Sequence, residues 1–513
     1  METEVLLVGA GPVGLLLAAE LRLAGVRPTV IERLAQPTRE QKARGMGSLA
    51  TEALRRRGLG AQLAAHHERG FADFRAAHGS DKGHFAWLHK IDLVPADEPE
   101  RTYTFIWQPE LEQLLGRWLA ELGVPVLREH ELTALRQDPD SVTATVHTPT
   151  GRCQVTAGYL VGCDGGRSPV RKLAGFEFPG TEPFMIMRAA QVELADPDAV
   201  PPPGQRDTGS LMHSLDGSGV GILGTTEFSA IPEDRGGPLT PEELAASVRR
   251  VAGVDVAITA IREPRRVLDH ARQAERYQLG RVLLAGDAAH VHSPNGGQGL
   301  NLGLMDAVNL GWKLAASVRR GDDGPLGTYT AERHPVAAAV LHNTRAQSAL
   351  LSPGPHHQAL RDIVSELMDI PAVNAYFAEL LNGLYTRYRL PYNKPADHDL
   401  VGQHCPDLVF GADRLYQHTA EGDPVLLTPT HAPEVAQAAA PWASRVQLVP
   451  AGLARHDLSG VLLRPDGVVA WACGPDHPPD LEQLGHAMRT WFAAPGAPDS
   501  PDSPDDPDCP DGR

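Results

Sequence analysis

The chain is short of cysteine, short of positive charge and without a long apolar run. Five cysteines, Cys153, Cys163, Cys405, Cys473 and Cys509, are scattered over 513 residues, and no two form a CxxC pair. That removes the usual zinc clusters and dithiol exchange, and it favours a reducing, cytoplasmic setting over a disulfide-stapled secreted one. Lys and Arg number 47 against 64 Asp and Glu, a formal net charge of −17. Nucleic-acid binders and polybasic membrane-surface proteins need the opposite balance, so neither nucleic acid nor membrane is an expected partner. The most apolar early stretch, Val5 to Ala19, is interrupted by three glycines and Pro12 and falls short of the ~20 residues of a membrane span. It follows Met1-Glu2-Thr3-Glu4, which is acidic where a secretory signal carries positive charge. The chain has no Gly-Lys dipeptide for a Walker loop and no Gly-x-Ser-x-Gly elbow for an α/β-hydrolase, so phosphoryl and acyl transfer lose their main support.

What is present starts at the N-terminus. A short apolar strand over Glu4 to Val8, a glycine turn, a helix from Leu15 to Ala24 and a second strand from Pro28 to Ile31 form one βαβ unit. Thr51 to Ala65 and Pro109 to Leu122 show helical spacing; Pro125 to Leu127 and Val142 to Val146 read as strands. From Phe178 to Asp269 the texture changes to alternating strands, such as Met185 to Leu194 and Ser210 to Leu215, between Pro and Gly loops. Arg281 to Ala285 returns to a buried strand, followed by a glycine-rich loop and a helix around Leu304 to Ser317. Pro353 to Pro395 reads as mostly helical, and a further small sheet ends in a hairpin across Pro465-Asp466-Gly467. The tail beyond Ala494, rich in Pro, Asp and Ser, cannot bury apolar surface and reads as disordered. Five segments follow: residues 1–178 and 270–395 as two parts of one nucleotide-binding domain, 179–269 as an inserted sheet, 396–494 as a C-terminal domain and 495–513 as the tail.

Three motifs carry chemistry. Gly9-Ala10-Gly11-Pro12-Val13-Gly14 lies between strand and helix, where glycines permit a tight turn and close approach of backbone to a pyrophosphate. Glu32 closes the second strand at about the distance at which an acid meets a ribose diol, about 20 residues on. Cys163-Asp164-Gly165-Gly166-Arg167-Ser168 follows a strand with an Asp, two glycines and a cation. Gly286-Asp287 and then Ser293-Pro294-Asn295-Gly296-Gly297-Gln298-Gly299-Leu300-Asn301 place an acid and a glycine loop before a helix, whose positive end suits developing negative charge.

In order and spacing these segments resemble the GxGxxG, DG and GD fingerprints of the FAD-dependent, single-component aromatic hydroxylases, among which the chain looks most like bacterial enzymes that tailor aromatic polyketides. The resemblance is strong over residues 1–178 and 270–347 and loose between them. It implies an α/β fold: a Rossmann-like FAD-binding domain of the p-hydroxybenzoate-hydroxylase type, an inserted β-sheet substrate domain and a C-terminal thioredoxin-like domain. Carried onto matching positions, Gly9, Gly11, Val13 and Gly14 would approach the FAD pyrophosphate, with Glu32 at the adenosine ribose, Arg33 beside it and Leu132 near the adenine. Arg44 and Gln108 would meet the flavin phosphate and ribityl region, Asp164 would serve both FAD and NAD(P)H, and Asp287 the ribityl or phosphate side. Pro294, Gly299, Leu300 and Asn301 would surround the isoalloxazine. No catalytic residue is assigned; Pro294 and Arg44 border the flavin, which does the chemistry. The lone Cys473 implies that the C-terminal domain has no redox role.

The implied function is insertion of one oxygen atom from O2 into a phenolic, polyketide-type substrate through a flavin C4a-hydroperoxide, with NADPH or NADH as reductant. A Baeyer–Villiger oxygenase or epoxidase on the same scaffold, and a non-catalytic FAD-binding protein, are the alternatives; a homodimer is compatible with the resemblance. His290-Val291-His292 has a spacing that suits metal but no third ligand nearby, and Gly217 to Gly221 reads as a hairpin turn. A flavin disulfide reductase would need paired cysteines and a second GxGxxG, and the chain has neither.

Overall fold

The computed structural model describes residues 1–493 other than 39, 41, 79–81, 95–97, 99, 229–236, 396, 454 and 456, and the backbone but not the side chains of residues 73–78. The tail expected over 495–513 lies outside the described residues. An eight-stranded sheet organises the first domain, in the order Gln278–Leu279, Val282–Leu284, Gly151–Gly162, Glu2–Val8, Pro28–Glu32, Val126–Arg128, with Val142–Thr148 and Glu131–Gln137 attached to the outer half of Gly151–Gly162. The four innermost strands run parallel, and Val5, Leu6, Leu7, Leu160, Val161, Leu283 and Leu284 are all fully buried. Both sheet faces are covered, which is why these strands are continuous apolar runs rather than alternating ones. The helices Pro12–Leu23 and Gly299–Arg320 pack directly on one another: a Cβ on Gly311 would stand 2.5 Å from the Glu20 Cβ, so the approach needs glycine. The architecture is therefore the expected Rossmann-like α/β domain, completed by chain from both sides of the insertion.

The insertion forms a five-stranded antiparallel sheet, Gly204–Arg206, Gly209–Leu215, Val220–Phe228, Met185–Leu194 and Ile258–Leu268 in spatial order. The helix Pro241–Ala252, capped by Thr240, covers one face through Leu244, Val248 and Val251 against Ala190, Val192 and Leu223. Ala189, Met212 and Gly224 share the opposite face. Asp216 folds the Gly217–Gly221 segment into a hairpin turn by accepting from the Ser218 and Val220 amides.

Two helical expectations change. Thr51 to Ala65 is split into Ser48–Arg56 and Gly60–His78. Gly58, at φ 80°, ends the first helix in the left-handed region. Arg57 then turns inward to a bidentate pair with Glu20, at 2.8 and 2.6 Å, and to the carbonyls of Thr419 and Pro465. The stretch Pro353 to Pro395 is helical only over Pro355–Leu367 and Pro371–Asn382, because left-handed Gly383 terminates the second helix.

The C-terminal domain has a four-stranded sheet in the order Gln447–Ala451, Val425–Pro429, Gly460–Leu463, Val469–Cys473; the first pair is parallel and the others antiparallel. The predicted hairpin across Pro465-Asp466-Gly467 is present, with Gly467 at φ 84°, but it is not a solvent turn. Arg464 makes a bidentate contact with Glu332, at 2.8 Å to each oxygen, and pairs with Asp466; Glu332 also takes Lys313 Nζ at 2.8 Å and Asn309 Nδ2 at 2.7 Å. Burial alone would push the Glu332 carboxyl up, but Arg464 and Lys313 outweigh it and hold it well below the ordinary carboxylate range. This cluster fixes the C-terminal domain to the helices that follow the glycine-rich loop.

Removing one member of such a cluster strands the others. Glu332→Ala should cost about 3–5 kcal/mol in chemical denaturation, whereas Arg262→Ala, at an exposed pair with Glu193, should cost at most about 1 kcal/mol. Similar losses for both variants would disprove the docking role.

His404, in the same interface, is buried and its imidazole pKa is pushed down to about 3, by burial and then by Arg56. The unfolded chain takes up that proton near pH 6.5, so stability from the neutral ring is full above that pH and is lost as pH falls towards 3. The Tm of His404→Gln should fall less steeply than that of the parent between pH 6.5 and 4; parallel slopes would count against it.

Candidate active site

The first glycine turn is built by proximity. Gly9 sits at φ 109°, and a Cβ there would lie 2.4 Å from the Cys163 carbonyl oxygen of the neighbouring strand end. A Cβ on Gly14 would lie 2.0 Å from the Gly9 carbonyl oxygen, whereas one on Gly11 would meet nothing within 4 Å. Gly9 and Gly14 thus let backbone approach backbone, and Gly11 keeps the space above the helix open. The helix Pro12–Leu23 begins with proline, has no side-chain cap and no acid in its first turn, so its positive end is left for an anion. Glu32 accepts the Ala10 amide on one carboxylate oxygen and the Leu34 amide on the other, both at 2.9 Å. Each oxygen keeps further acceptor capacity for a diol.

The second turn ends the long strand Gly151–Gly162. Asp164 accepts the Val170 amide through Oδ2 at 2.9 Å, while its Oδ1 is buried with no partner among the described residues. Burial raises its pKa against hydrogen bonds from Ser168 and Val170. Such an orphaned oxygen in a cavity wall fits a ligand donor. Arg171 links this turn to the next, donating to the carbonyls of Ala288 at 2.8 Å and Gly166 at 2.7 Å while lying over the Phe178 ring.

The third turn carries Gly286 at φ 63° and an exposed Asp287. His290 Nε2 is 2.7 Å from Asp306 Oδ2, its buried Nδ1 has no partner among the described residues, and the ring does not line the cavity on which these turns open. His292 does line it: Nδ1 contacts the Ser293 carbonyl at 2.6 Å and Nε2 is likewise buried without a partner among the described residues, close to Gly299. Burial pushes its pKa down, so at neutral pH Nδ1–H donates to the carbonyl and Nε2 presents a lone pair. The helix Gly299–Arg320 starts without a side-chain cap or first-turn acid. Asn301 braces its start, accepting the Gly47 amide at 2.7 Å and donating to the Gly297 carbonyl at 3.1 Å.

These turns open on one cavity of about 1040 Å³, at the upper end of the volumes usual for small-molecule sites. Gly9, Gly11, Val13, Glu32, Arg33, Arg44, Gln108, Leu132, Asp164, Asp287, Pro294, Gly299, Leu300 and Asn301 all line it. Gly14 does not; its place is the helix–turn contact beneath. Arg44 lies 5.4 Å from the Trp107 ring centre, and Gln108 donates to Glu112 at 2.9 Å. Lys42, Tyr103, Glu112 and Arg128 also stand in the wall, as do His84, Trp87 and His89; none of them belongs to a motif with fixed spacing, so sequence reasoning missed them, and it singled out His292 only for a metal-like spacing with His290. No described residue between 179 and 269 lines this cavity. No helix among the described residues is long and apolar enough to cross a membrane.

Comparison with known proteins agrees with this geometry. Residues 2–344 match the FAD binding domain family, and residues 398–495 match the aromatic-ring hydroxylase C-terminal family. The chain is 42% identical to the 12-dehydrotetracycline 5-monooxygenase/anhydrotetracycline 6-monooxygenase of Streptomyces rimosus subsp. rimosus, over 96% of this chain and 100% of the relative. It is 41% identical to a rifampicin monooxygenase of Streptomyces venezuelae, over 96% and 99%. The solved structure of the anhydrotetracycline hydroxylase from Streptomyces rimosus superposes with a TM-score of 0.84 at 40% identity, covering 96% of this chain and all of that one. The protein belongs to the FAD-dependent aromatic-ring hydroxylases. It is a flavoprotein monooxygenase that uses FAD, a nicotinamide reductant and O2. The cavity fits that cofactor: a glycine cradle, an uncapped helix start and the orphaned Asp164 oxygen all border it.

Two glycine substitutions separate fold from ligand. Gly11→Ala should leave the Tm of the flavin-free protein unchanged and weaken FAD at least about tenfold, about 1.4 kcal/mol. Gly14→Ala, driving a Cβ into the Gly9 carbonyl, should lower that Tm as well. Full FAD affinity in Gly11→Ala would refute the cradle.

Proposed function

We propose that the FAD runs the length of this cavity, with its pyrophosphate over Gly9 and Gly11, its adenosine ribose at Glu32 with Arg33 beside it, and its adenine near Leu132. Arg44, Gln108 and Asp287 hold the phosphate and ribityl portion, Asp164 meets both FAD and the nicotinamide cofactor, and the isoalloxazine lies among Pro294, Gly299, Leu300 and Asn301. The observation that carries this reading is a single cavity joining a dinucleotide cradle to the positive end of the helix Gly299–Arg320. Bound FAD supplies activated oxygen after reduction by NADPH or NADH. The protein's own residues bind, orient and exclude water. The helix end steadies negative charge at the ring, and His292 offers an acceptor at Nε2.

The substrate we infer is a polycyclic phenol of aromatic-polyketide type, as for the tetracycline-modifying relatives, and the reaction is ring hydroxylation. The inserted sheet, none of whose described residues lines this cavity, is assigned to the substrate by the resemblance alone, through the face bearing Ala189, Met212 and Gly224 opposite the helix Pro241–Ala252. For the C-terminal domain, the β-α-β-β-β-α order and the lone Cys473 support a thioredoxin-like packing unit without redox chemistry. Burial holds Cys163 and Cys405 in the thiol form, which suits a reducing cytoplasm.

The test is anaerobic reduction of the holoprotein by NADPH with and without anhydrotetracycline, followed by product analysis after O2 is admitted. Faster flavin bleaching with the phenol and a product carrying one added ring oxygen are expected. A lactone or an epoxide would replace hydroxylation by the Baeyer–Villiger or epoxidase outcome, and a flavin that NADPH never reduces would leave a non-catalytic FAD protein. Arg44→Ala should retain less FAD through purification; undiminished retention would remove that residue from the site.

A further inference from the structure

The hairpin formed by Gly83–Phe85 and Leu88–Ile91 belongs to no motif, yet it supplies His84, Trp87 and His89 to the cavity wall. Its two turn residues are Ala86, at φ 49°, and Trp87, at φ 64°. A two-residue hairpin turn with both central residues left-handed normally takes Asn-Gly, because a Cβ is disfavoured at positive φ. Alanine followed by tryptophan is therefore a strained choice, and strain of this kind persists where the surroundings enforce it and a site uses it.

The surroundings here do enforce it. Ala86 is fully buried; its amide donates to Gln347 Oε1 at 3.0 Å and its carbonyl accepts Arg361. Phe85 packs on Phe377 with ring centres 4.4 Å apart, and Lys90 pairs with Asp369 at 2.8 Å. Every anchor comes from the stretch 329–382 that follows the glycine-rich loop, Gln347, Arg361 and Phe377 from its helices and Asp369 from the turn between two of them. Trp87 itself is left 45% exposed. Its indole lies nearly parallel to the His84 ring, with centres 5.7 Å apart and 19° between planes, and His89 lies 5.1 Å beyond His84.

Gln347 also fixes where this wall stands. A Cβ on Gly296 would come within 2.7 Å of Gln347 Nε2, so the side chain that holds the Ala86 amide also abuts the Pro294–Gly297 turn. Asn382 repeats the link, accepting the Ser48 amide and donating to the Leu93 carbonyl while lining the cavity. The hairpin tip thus faces the end of the cavity that carries the Gly299 helix start.

We propose that Trp87, held by this strained turn and backed by His84, is the stacking platform that binds a flat polycyclic phenol at the ring end of the cavity. The inference rests on the aromatic-hydroxylase reading and adds the residue that recognises the ring system. A planar multi-ring ligand gains most from such a surface, and a single-ring phenol gains little.

The test measures anhydrotetracycline binding to oxidised holoprotein by flavin difference spectra, with p-cresol as the single-ring control, so that affinity is read independently of turnover. Trp87→Ala and Trp87→Leu should each weaken anhydrotetracycline about tenfold or more, Trp87→Phe less than about threefold, and p-cresol should shift little in any of them. FAD content and Tm are followed in parallel; if Trp87→Ala does not fold, the Leu and Phe pair still separates ring stacking from apolar bulk. Equal affinity in the Leu and Phe variants, or loss of FAD in proportion to loss of the ring, would overturn the proposal, the latter by placing the indole on the flavin. Failure of the parent to bind anhydrotetracycline at all would also overturn it. Binding without phenol-stimulated reduction would instead sink the hydroxylase reading and leave the platform standing.

Discussion

One buried carboxylate holds the glycine-rich side of the cavity together. Asp306 is fully buried, and it accepts the Gly286 amide at 3.0 Å, His290 Nε2 at 2.7 Å and Arg333 Nε at 2.7 Å. Burial alone would favour its neutral form; Arg333 and His290 reverse that and keep its pKa below the ordinary value. The anion thereby ties three separate pieces of chain: the turn after the strand Val282–Leu284, the loop that becomes glycine-rich, and the next long helix. Arg333 extends the tie to the Leu302 carbonyl and the Tyr388 hydroxyl. A glycine-rich loop has little stiffness of its own, so the cavity wall at Pro294 to Asn301 inherits its geometry from this contact behind it.

The same helix continues the arrangement. Asp306, Asn309 and Lys313 stand at helical spacing on one side, and below Asp306 the face turns from holding the loop to holding another domain through Glu332, Arg464 and Asp466. A buried cluster of this kind is a poor source of net stability but a demanding one geometrically, since each member must find its partner or stand unpaired. It sets one docking position for the C-terminal domain. That domain touches the helix Gly299–Arg320, whose first turn lines the cavity, and its own cysteines lie elsewhere, Cys405 buried and Cys473 half-buried. Through Asp466, which accepts Asn309, and the packing of Trp312, it is tied to the middle of that helix.

Much of this was legible in the sequence, for a physical reason that differs from piece to piece. The glycine turns at Gly9, Gly165 and Gly286 could be read because each holds a left-handed φ, at 109°, 81° and 63°, and at Gly9 a Cβ would also meet the Cys163 carbonyl; that constraint is local. The hydrophobic runs of the parallel strands could be read because burial on both faces leaves no polar positions. Asp306, Asn309 and Lys313 stood inside a stretch that resembles the aromatic hydroxylases throughout, but nothing local says that their partners lie at positions 332, 333 and 464. Asp466 is the plainest case: Pro-Asp-Gly is a turn signal, the turn is there, and the aspartate is buried because Arg464 and Asn309 reach it. Arg57 likewise ends a helix that its apolar spacing would have continued, since Glu20 and two distant carbonyls compete for its guanidinium. Partners far apart in sequence leave no period to detect.

The two halves of the cavity wall therefore obey different constraints. The cofactor side is locked by charge: the Asp306 anion, the Arg171 link between turns and the crowded glycines each tolerate few replacements, because a change strands a buried charge or drives a side chain into backbone. The 83–91 hairpin is held by shape as well as by its polar anchors Gln347, Arg361 and Asp369. It leans on Phe377, Leu350 and Met368 in a small apolar cluster, and such contacts accept volume-conserving exchange at modest cost. Tetracyclines and rifampicin, on which relatives of this chain act, differ far more in outline than any flavin differs from another. A scaffold whose relatives keep one cofactor while changing substrate gains from a wall fixed by buried ions beside one whose packing depends in part on side-chain volume.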